Sequence, residues 1–184
     1  MHARQLGGPH LAGHDKQGVV ARKEENLRWN TLAKENCSLA RSLAVVGDRW
    51  TLLILRDAFL RVRRFDDFEK SLKIARRVLA ERLVLLVEEG ILAKLPYQQR
   101  PTRYEYRLTE KGLELYPPII ALVHWGDRHY AGKSGPPMLH RHLNCGHDFR
   151  SVLTCSECKA PLKAREVAVR PGRRRARAAA ATQS

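Results

Sequence analysis

The stretch Ala75-Arg76-Arg77-Val78-Leu79-Ala80-Glu81-Arg82-Leu83-Val84-Leu85-Leu86-Val87-Glu88-Glu89-Gly90 decides the fold. Leu79, Leu83 and Leu86 recur at the three- and four-residue spacing of one helical face, so they form an inward stripe. Gly90 supplies a stop, because glycine accepts the left-handed conformation in which many helices end. Arg76, Arg77, Glu81 and Arg82 fall off the stripe and face water.

Working outward, Leu72-Lys73-Ile74 turns the chain out of a preceding short helix over 64–71. Phe65 and Phe68 sit three apart there and cover a core, while Asp66, Asp67, Glu69 and Lys70 stay wet. After Gly90, Ile91–Leu95 and Arg103–Leu108 alternate in residue type as strands do, and the Pro-bounded basic loop 96–102 joins them. Upstream, Asn36 and Ser38 are positioned to cap a helix through Leu39, Leu43 and Val46 that ends at Gly47. Asp48 then caps Trp50–Leu60, apolar on most sides and therefore scaffold. Downstream, Thr109 caps a last helix from Glu110 to about Tyr130, which Pro117-Pro118 must kink or restart. Helix, turn, helix and ribbon in this order predict a winged helix-turn-helix, mainly α with a small β-ribbon.

Composition points to the partner class. The 184 residues hold 34 Lys plus Arg against 19 Asp plus Glu, a net charge of +15, so the chain is drawn to polyanions. Both the folded middle and the C-terminal part are basic. No apolar run reaches the ~18 residues a membrane helix needs, and the N-terminus lacks the apolar core of a signal peptide, so a cytoplasmic protein is expected. An enzyme finds no support: no Gly-rich phosphate loop, no HExxH pair and no nucleophile arrangement with a motif around it occurs.

The expected organisation is a flexible arm over 1–23, a winged-helix DNA-binding domain over 24–132, a metal-knuckle module over 136–166 and a disordered basic tail over 167–184. The tail is read as adding sequence-independent attraction to phosphates. Three of the four cysteines cluster between 145 and 158. His142-x2-Cys145-x9-Cys155-x2-Cys158 has the spacing of a structural zinc site with four N/S ligands and no open position, with His147 as the substitute ligand. Such a metal holds the module together rather than catalysing.

The block Cys37-x2-Ala40-x2-Leu43-x3-Gly47-Asp48-Arg49-Trp50-Thr51-Leu52-Leu53-Ile54-Leu55-Arg56, then Arg64-Phe65, Leu79-x2-Arg82-Leu83, Glu89-Gly90, Tyr104-x-Tyr106-x-Leu108-Thr109-x2-Gly112 and Trp125-Gly126, resembles the HxlR-type winged-helix transcriptional regulators of the MarR-like superfamily. About half the chain takes part. The resemblance implies a homodimer on an operator in double-stranded DNA, acting as a repressor, with the helices at either end of the domain forming the dimer contact. Some longer members look similar in their His/Cys-rich C-terminal extension. Ala75 departs from the family pattern, which often has Ser or Thr opening the recognition helix.

Within that frame helix 75–89 is the reader and 95–103 the wing. Arg76 or Arg77 is expected to meet base edges in the major groove, where a bidentate contact to guanine discriminates by ~1–3 kcal/mol. Arg100 and Arg103 are candidates for the minor groove or phosphates, and Arg63 and Arg64 for backbone clamps. Trp50 and Trp125 are expected to pack in the core or the dimer contact. Cys37, at a helix start and four residues before Arg41, is expected as a small buried residue, with oxidation sensing as the alternative. A small-molecule or oxidant effector fits this class. The rival reading is a basic zinc-containing RNA-binding protein, which lacks aromatic-rich stacking strands.

Overall fold

A computed structural model describes residues 32–171; the expected arm 1–23, the start of the expected domain and the tail beyond Pro171 lie outside the described residues. Contacts divide the chain into a unit ending at Leu113 and a unit beginning at Glu114.

The first unit opens with α1, Ser38–Val46. Cys37 is its N-cap in an extended conformation, and no side chain caps the helix. Asn36 and Ser38 therefore do not act as expected. Ser38 already lies inside the helix, one position too late to reach back over the free N–H groups. Gly47 closes α1, donating its N–H to Leu43 O at 2.9 Å.

The next residue starts α2, Arg49–Phe59. Asp48 Oδ1 accepts the N–H groups of Trp50 at 3.0 Å and Thr51 at 3.2 Å, which are helical donors with no partner inside the helix. The same oxygen receives Arg82 Nε at 3.0 Å, thirty-four residues away. Thus one carboxylate both begins α2 and holds a later helix. Thr51, Ile54, Leu55 and Asp57 form the buried face of α2.

α3 spans Phe65–Leu72 and buries Phe68; Lys73 then adopts the left-handed conformation, φ 49°, and turns the chain. α4 spans Arg76–Glu88, with Leu79, Leu83 and Leu86 buried as the stripe predicts. Each such side chain contributes about 1.5–3 kcal/mol by leaving water. Ala75, the N-cap, offers no side-chain acceptor, and Gly90 at φ 66° ends the element.

The wing is longer than expected. β1, Leu92–Gln99, and β2, Thr102–Leu108, pair antiparallel up to the turn at Arg100-Pro101, so the ladder takes in most of the expected loop. Pro96 is tolerated because β1 pairs with β2 on one side alone, which leaves an edge toward which a residue without N–H can turn. Register shifts between Pro96 and Gln98, so Tyr97 is the extra residue of a bulge. The strand run also reaches back to the segment before α3: Tyr106 donates its N–H to Arg63 O at 2.8 Å, and Arg64 bridges Glu105.

Thr109 caps α5, Glu110–Leu113, as expected, accepting the Gly112 N–H at 3.1 Å and donating its hydroxyl to Gly90 O at 2.7 Å. Gly112 is required by space rather than by φ. A Cβ there would lie 2.3 Å from Ile91 O.

In the second unit the proline pair restarts the chain as α6, Tyr116–Tyr130, with proline in its first turn where a missing N–H costs nothing. His124 is buried on it. Ser151 N–H donates to His124 Nδ1 at 2.9 Å and Ser151 Oγ lies 3.0 Å from the same atom. The ring meets His140 and Phe149 edge-on at 5.4 and 5.7 Å. Nδ1 must therefore be bare, which fixes the neutral ring. Burial lowers its pKa, helped by the neighbouring His140 and by Arg128 and Arg150, against an opposing pull from Asp127.

Two outcomes are expected. Asp48→Ala removes a helix cap and strands Arg82, costing about 2 kcal/mol, or roughly 8–16 °C in Tm for a domain of this size. Thermal melting checks this; a loss below about 0.5 kcal/mol, the range of an ordinary surface change, contradicts it. For His124 the folded pKa lies below the ordinary 6.5, so the hydrogen bond to Ser151 is present in full above that value and is lost as pH falls below it. The hydrogen-exchange protection factor of the Ser151 amide should fall between pH 7 and 5 in the wild type; in His124→Gln, where no group titrates at this position, protection that is independent of pH is expected.

Candidate nucleic-acid interface and the C-terminal knuckles

The two arginines that open α4 are not equivalent. Arg76 Nη1 forms ion pairs with Glu69 and, at 3.5 Å, with Asp66, both on α3, and its guanidinium carbon lies 4.8 Å from the Phe65 ring centroid. Arg76 is thus a staple between the two helices of the helix-turn-helix. Arg77 is 90 % exposed and, among the described residues, its one ion pair is with Glu81, one turn on, at 2.9 Å. Such an exposed pair contributes about 0.3–0.5 kcal/mol, so Arg77 is only weakly held. Arg82, also off the stripe, is bound to Asp48.

Among the other expected contact residues, Arg64 is the N-cap of α3 and its guanidinium lies 4.4 Å from the Tyr97 ring. Arg63 is exposed and borders a cavity of about 270 Å³ with Arg61, Tyr106 and Arg107. Arg100 is exposed in the turn at the tip of the wing, its carbonyl accepting Gln98 Nε2 at 3.1 Å. Arg103 is exposed one residue into β2. Burial pushes the Tyr106 phenol pKa up, keeping it neutral behind the wing. Sequence reasoning missed Lys94 and Tyr104, whose ammonium and ring approach to 4.3 Å. Cross-strand position alone could have found them once Lys94↔Tyr106 and Pro96↔Tyr104 were paired.

Cys37 is exposed in the single chain rather than buried. Its carbonyl accepts the Arg41 N–H at 3.1 Å as the first bond of α1. Trp125 is 45 % exposed, against the His129 and Tyr130 rings at 5.2 and 5.3 Å. Trp50 is half-buried, with the Arg49 guanidinium over its ring at 5.4 Å.

The cysteine segment consists of two turns built alike. In the first, His142 N–H donates to His147 O (2.9 Å), Gly146 N–H to His142 O (2.8 Å) and Phe149 N–H to His140 O (2.9 Å). In the second, Cys155 N–H donates to Ala160 O (2.9 Å), Lys159 N–H to Cys155 O (3.0 Å) and Leu162 N–H to Leu153 O (2.8 Å). Every group of the second turn lies thirteen residues after its counterpart, so Cys155 stands where His142 does and Cys158 where Cys145 does. The residue after Cys145 and the one after Cys158, Gly146 and Lys159, have positive φ, 70° and 59°. For Lys159 that strained conformation is held by the turn around it.

Within the first turn His142 Nδ1 and Cys145 Sγ approach to 3.3 Å. Within the second, backbone N–H groups of Cys158 and Glu157, then the Cys158 thiol, hold the Cys155 thiol below its ordinary pKa. Among the described residues no three or more His, Cys, Asp or Glu side chains form one metal-holding group. The structure therefore brings these four side chains together in pairs, His142 with Cys145 and Cys155 with Cys158. His147 contributes its backbone carbonyl to the turn.

The family model for HxlR-like helix-turn-helix proteins matches residues 45–134, from the end of α1 through α6. The uncharacterized HTH-type transcriptional regulator Rv3095 of Mycobacterium tuberculosis is 45 % identical over 138 residues, 75 % of this chain and 87 % of its own length. The chain belongs to the HxlR-like helix-turn-helix family. Another member-like sequence, the uncharacterized HTH-type transcriptional regulator YdeP of Bacillus subtilis, is 32 % identical over 52 % of this chain and 75 % of its own. Among solved structures, PA1607, a candidate transcription factor, superposes with a TM-score of 0.69 at 34 % identity over 76 % of this chain and 98 % of its own. PA1374 of Pseudomonas aeruginosa gives 0.54 at 38 %, covering 77 % and 96 %. As a member of this family the protein is a DNA-binding transcriptional regulator and not an enzyme. Among the described residues no helix is long and apolar enough to cross a membrane.

Proposed function

We propose that this HxlR-like protein represses transcription as a homodimer on an operator in double-stranded DNA, with the tip of α4 in the major groove and the wing on the backbone or minor groove. Arg77 carries the reading: it stands 90 % exposed in the first turn of α4, with Glu81 as a weak partner. Arg76 supports it by fixing the angle between α3 and α4. Exposed apolar side chains favour the second copy. α1 buries no residue of its own and leaves Leu39 and Leu43 in water, and α6 leaves Leu122, Trp125 and Tyr130 there. Faces of this kind on a folded chain mark contact surfaces.

Genomic fragments selected by the purified protein supply the operator, against which random duplex and structured RNA are compared. Arg77→Ala should lower affinity for the operator by about 5- to 150-fold, the equivalent of 1–3 kcal/mol, and spare random duplex. Arg76→Ala should instead lower the Tm. Equal loss on operator and random duplex for Arg77→Ala, or a preference for the RNA, contradicts the reading.

We further propose that His142, Cys145, Cys155 and Cys158 hold one structural zinc. The support is the repeat: two turns of identical hydrogen bonding present two sulfur-bearing or imidazole donors each, with an N–H-rich turn behind the Cys155 sulfur. When bound, the metal supplies a cross-link between the turns. Metal analysis should return about one zinc per chain, with Cys155→Ser abolishing it. Metal-free wild-type protein with an ordered 136–166 overturns this.

A further inference from the structure

In the second unit, the C-terminal half of α6 and the segment running into the first knuckle turn enclose a cavity of about 120 Å³. His124, 7 % exposed, is its buried member, while Arg128 and Arg150 border it from the surface. Both contacts of His124 with Ser151 fall on Nδ1, so the ring proton sits on Nε2, and among the described residues that N–H has no acceptor. Asp57 Oδ2 is the one side-chain polar atom among them that is sealed from water without a partner, so His124 Nε2 reaches open space. The space that His124 borders is this cavity. A donor held among buried groups without an acceptor costs free energy, which an entering acceptor relieves.

The charges at its rim favour an anion. Among the described residues Arg128 and Arg150 form no ion pair, whereas Asp148 is taken by Arg141 at 3.0 Å. Asp127 is the one carboxylate of the lining left unpaired. The charges of Arg128, Arg150 and Asp127 all act on the His124 ring, which gathers them about one place. Two unpaired guanidiniums against one carboxylate leave the cavity positive, and that potential falls when an anion enters. The other walls are largely apolar: Pro136, Met138, Leu139 and Phe149, with the His140 ring closing one side edge-on to His124 at 5.4 Å. Met138 and Leu139 are 45 and 70 % exposed, so much of their surface is open to an occupant.

We propose that this cavity binds a small aliphatic carboxylate, one oxygen accepting the His124 Nε2 proton, the other drawn to Arg128 and Arg150, and the body lying on Phe149, Met138 and Leu139. Volume sets the size. A closed apolar cavity of roughly 150 Å³ holds benzene, so this one takes a body of roughly four or five carbons. A free inorganic oxyanion answers the charges but leaves the apolar walls facing a fully polar guest. None of these side chains belongs to α4 or the wing, so the site stands apart from the DNA-binding reading.

Isovalerate is the probe, titrated at neutral pH into the full-length protein while the ring resonances of His124 and Phe149 are followed. Saturable shifts at both rings are expected, with a Kd of about 1 mM or tighter for a ligand this small. Isovaleramide, the same body without the charge, and acetate, the same charge without the body, should each bind at least about tenfold more weakly. Arg150→Gln and Arg128→Gln should each weaken isovalerate by about tenfold and leave isovaleramide unchanged. Arg165→Gln, at an exposed arginine outside the cavity, should change neither. Because Arg128 and Arg150 hold no partner in the described fold, an unchanged Tm in their variants separates a lost ligand contact from unfolding. Silence of both rings throughout the titration overturns the site. Equal affinity for isovalerate and isovaleramide also overturns it, since the guanidiniums are then idle, and equal affinity for isovalerate and acetate does so because the walls are idle.

Discussion

The first unit depends on a single carboxylate oxygen. Asp48 Oδ1 takes the two free N–H groups that open α2 and the guanidinium of Arg82 in the middle of α4. A cap usually acts on its own helix, contributing about 1 kcal/mol. Here it also joins α2 to α4, and the joint is charge-assisted and partly buried, hence stronger than an exposed ion pair. Gly47 makes this possible by ending α1 one residue earlier, so Asp48 is extended when it meets its donors. Arg76 holds the start of α4, through Glu69 and Asp66, and Arg82 holds it nearly two turns further on. With both arginines engaged in fixing α4, Arg77 between them is left to the solvent.

Elements set by local rules could be read from the chain. The leucine stripe, the stops at Gly47 and Gly90, the caps at Asp48 and Thr109 and the restart at Pro117-Pro118 each depend on neighbours within one turn. Contacts over longer separations could not. Arg76 and Arg77 look alike as a dipeptide, and only the fold brings Asp66 and Glu69 beneath one of them. Pro96 reads as the end of a strand, yet an edge position lets the ladder continue past it. The bulge at Tyr97 is invisible to alternation because a bulge is a break in alternation. His124 sits among apolar residues of a helix, and its partner at Ser151 is twenty-seven residues on.

The C-terminal knuckles follow a different logic from the first unit. Few apolar side chains are buried there: Leu143, Val152 and Leu153 are all exposed. A segment with so little apolar burial gains its order from backbone turns and polar contacts, among them the His124–Ser151 bond and the Arg141–Asp148 pair at 3.0 Å. The thirteen-residue repeat of hydrogen bonds gives the two turns the same backbone frame.

The claim that the exposed tip of α4 meets DNA is tested most directly by mapping amide resonances of the whole protein as duplex is added. The account predicts that perturbations concentrate on the first turn of α4, Arg76–Leu79, and on the wing between Tyr97 and Arg103. Perturbations confined to 136–171, with both of those segments silent, would contradict it.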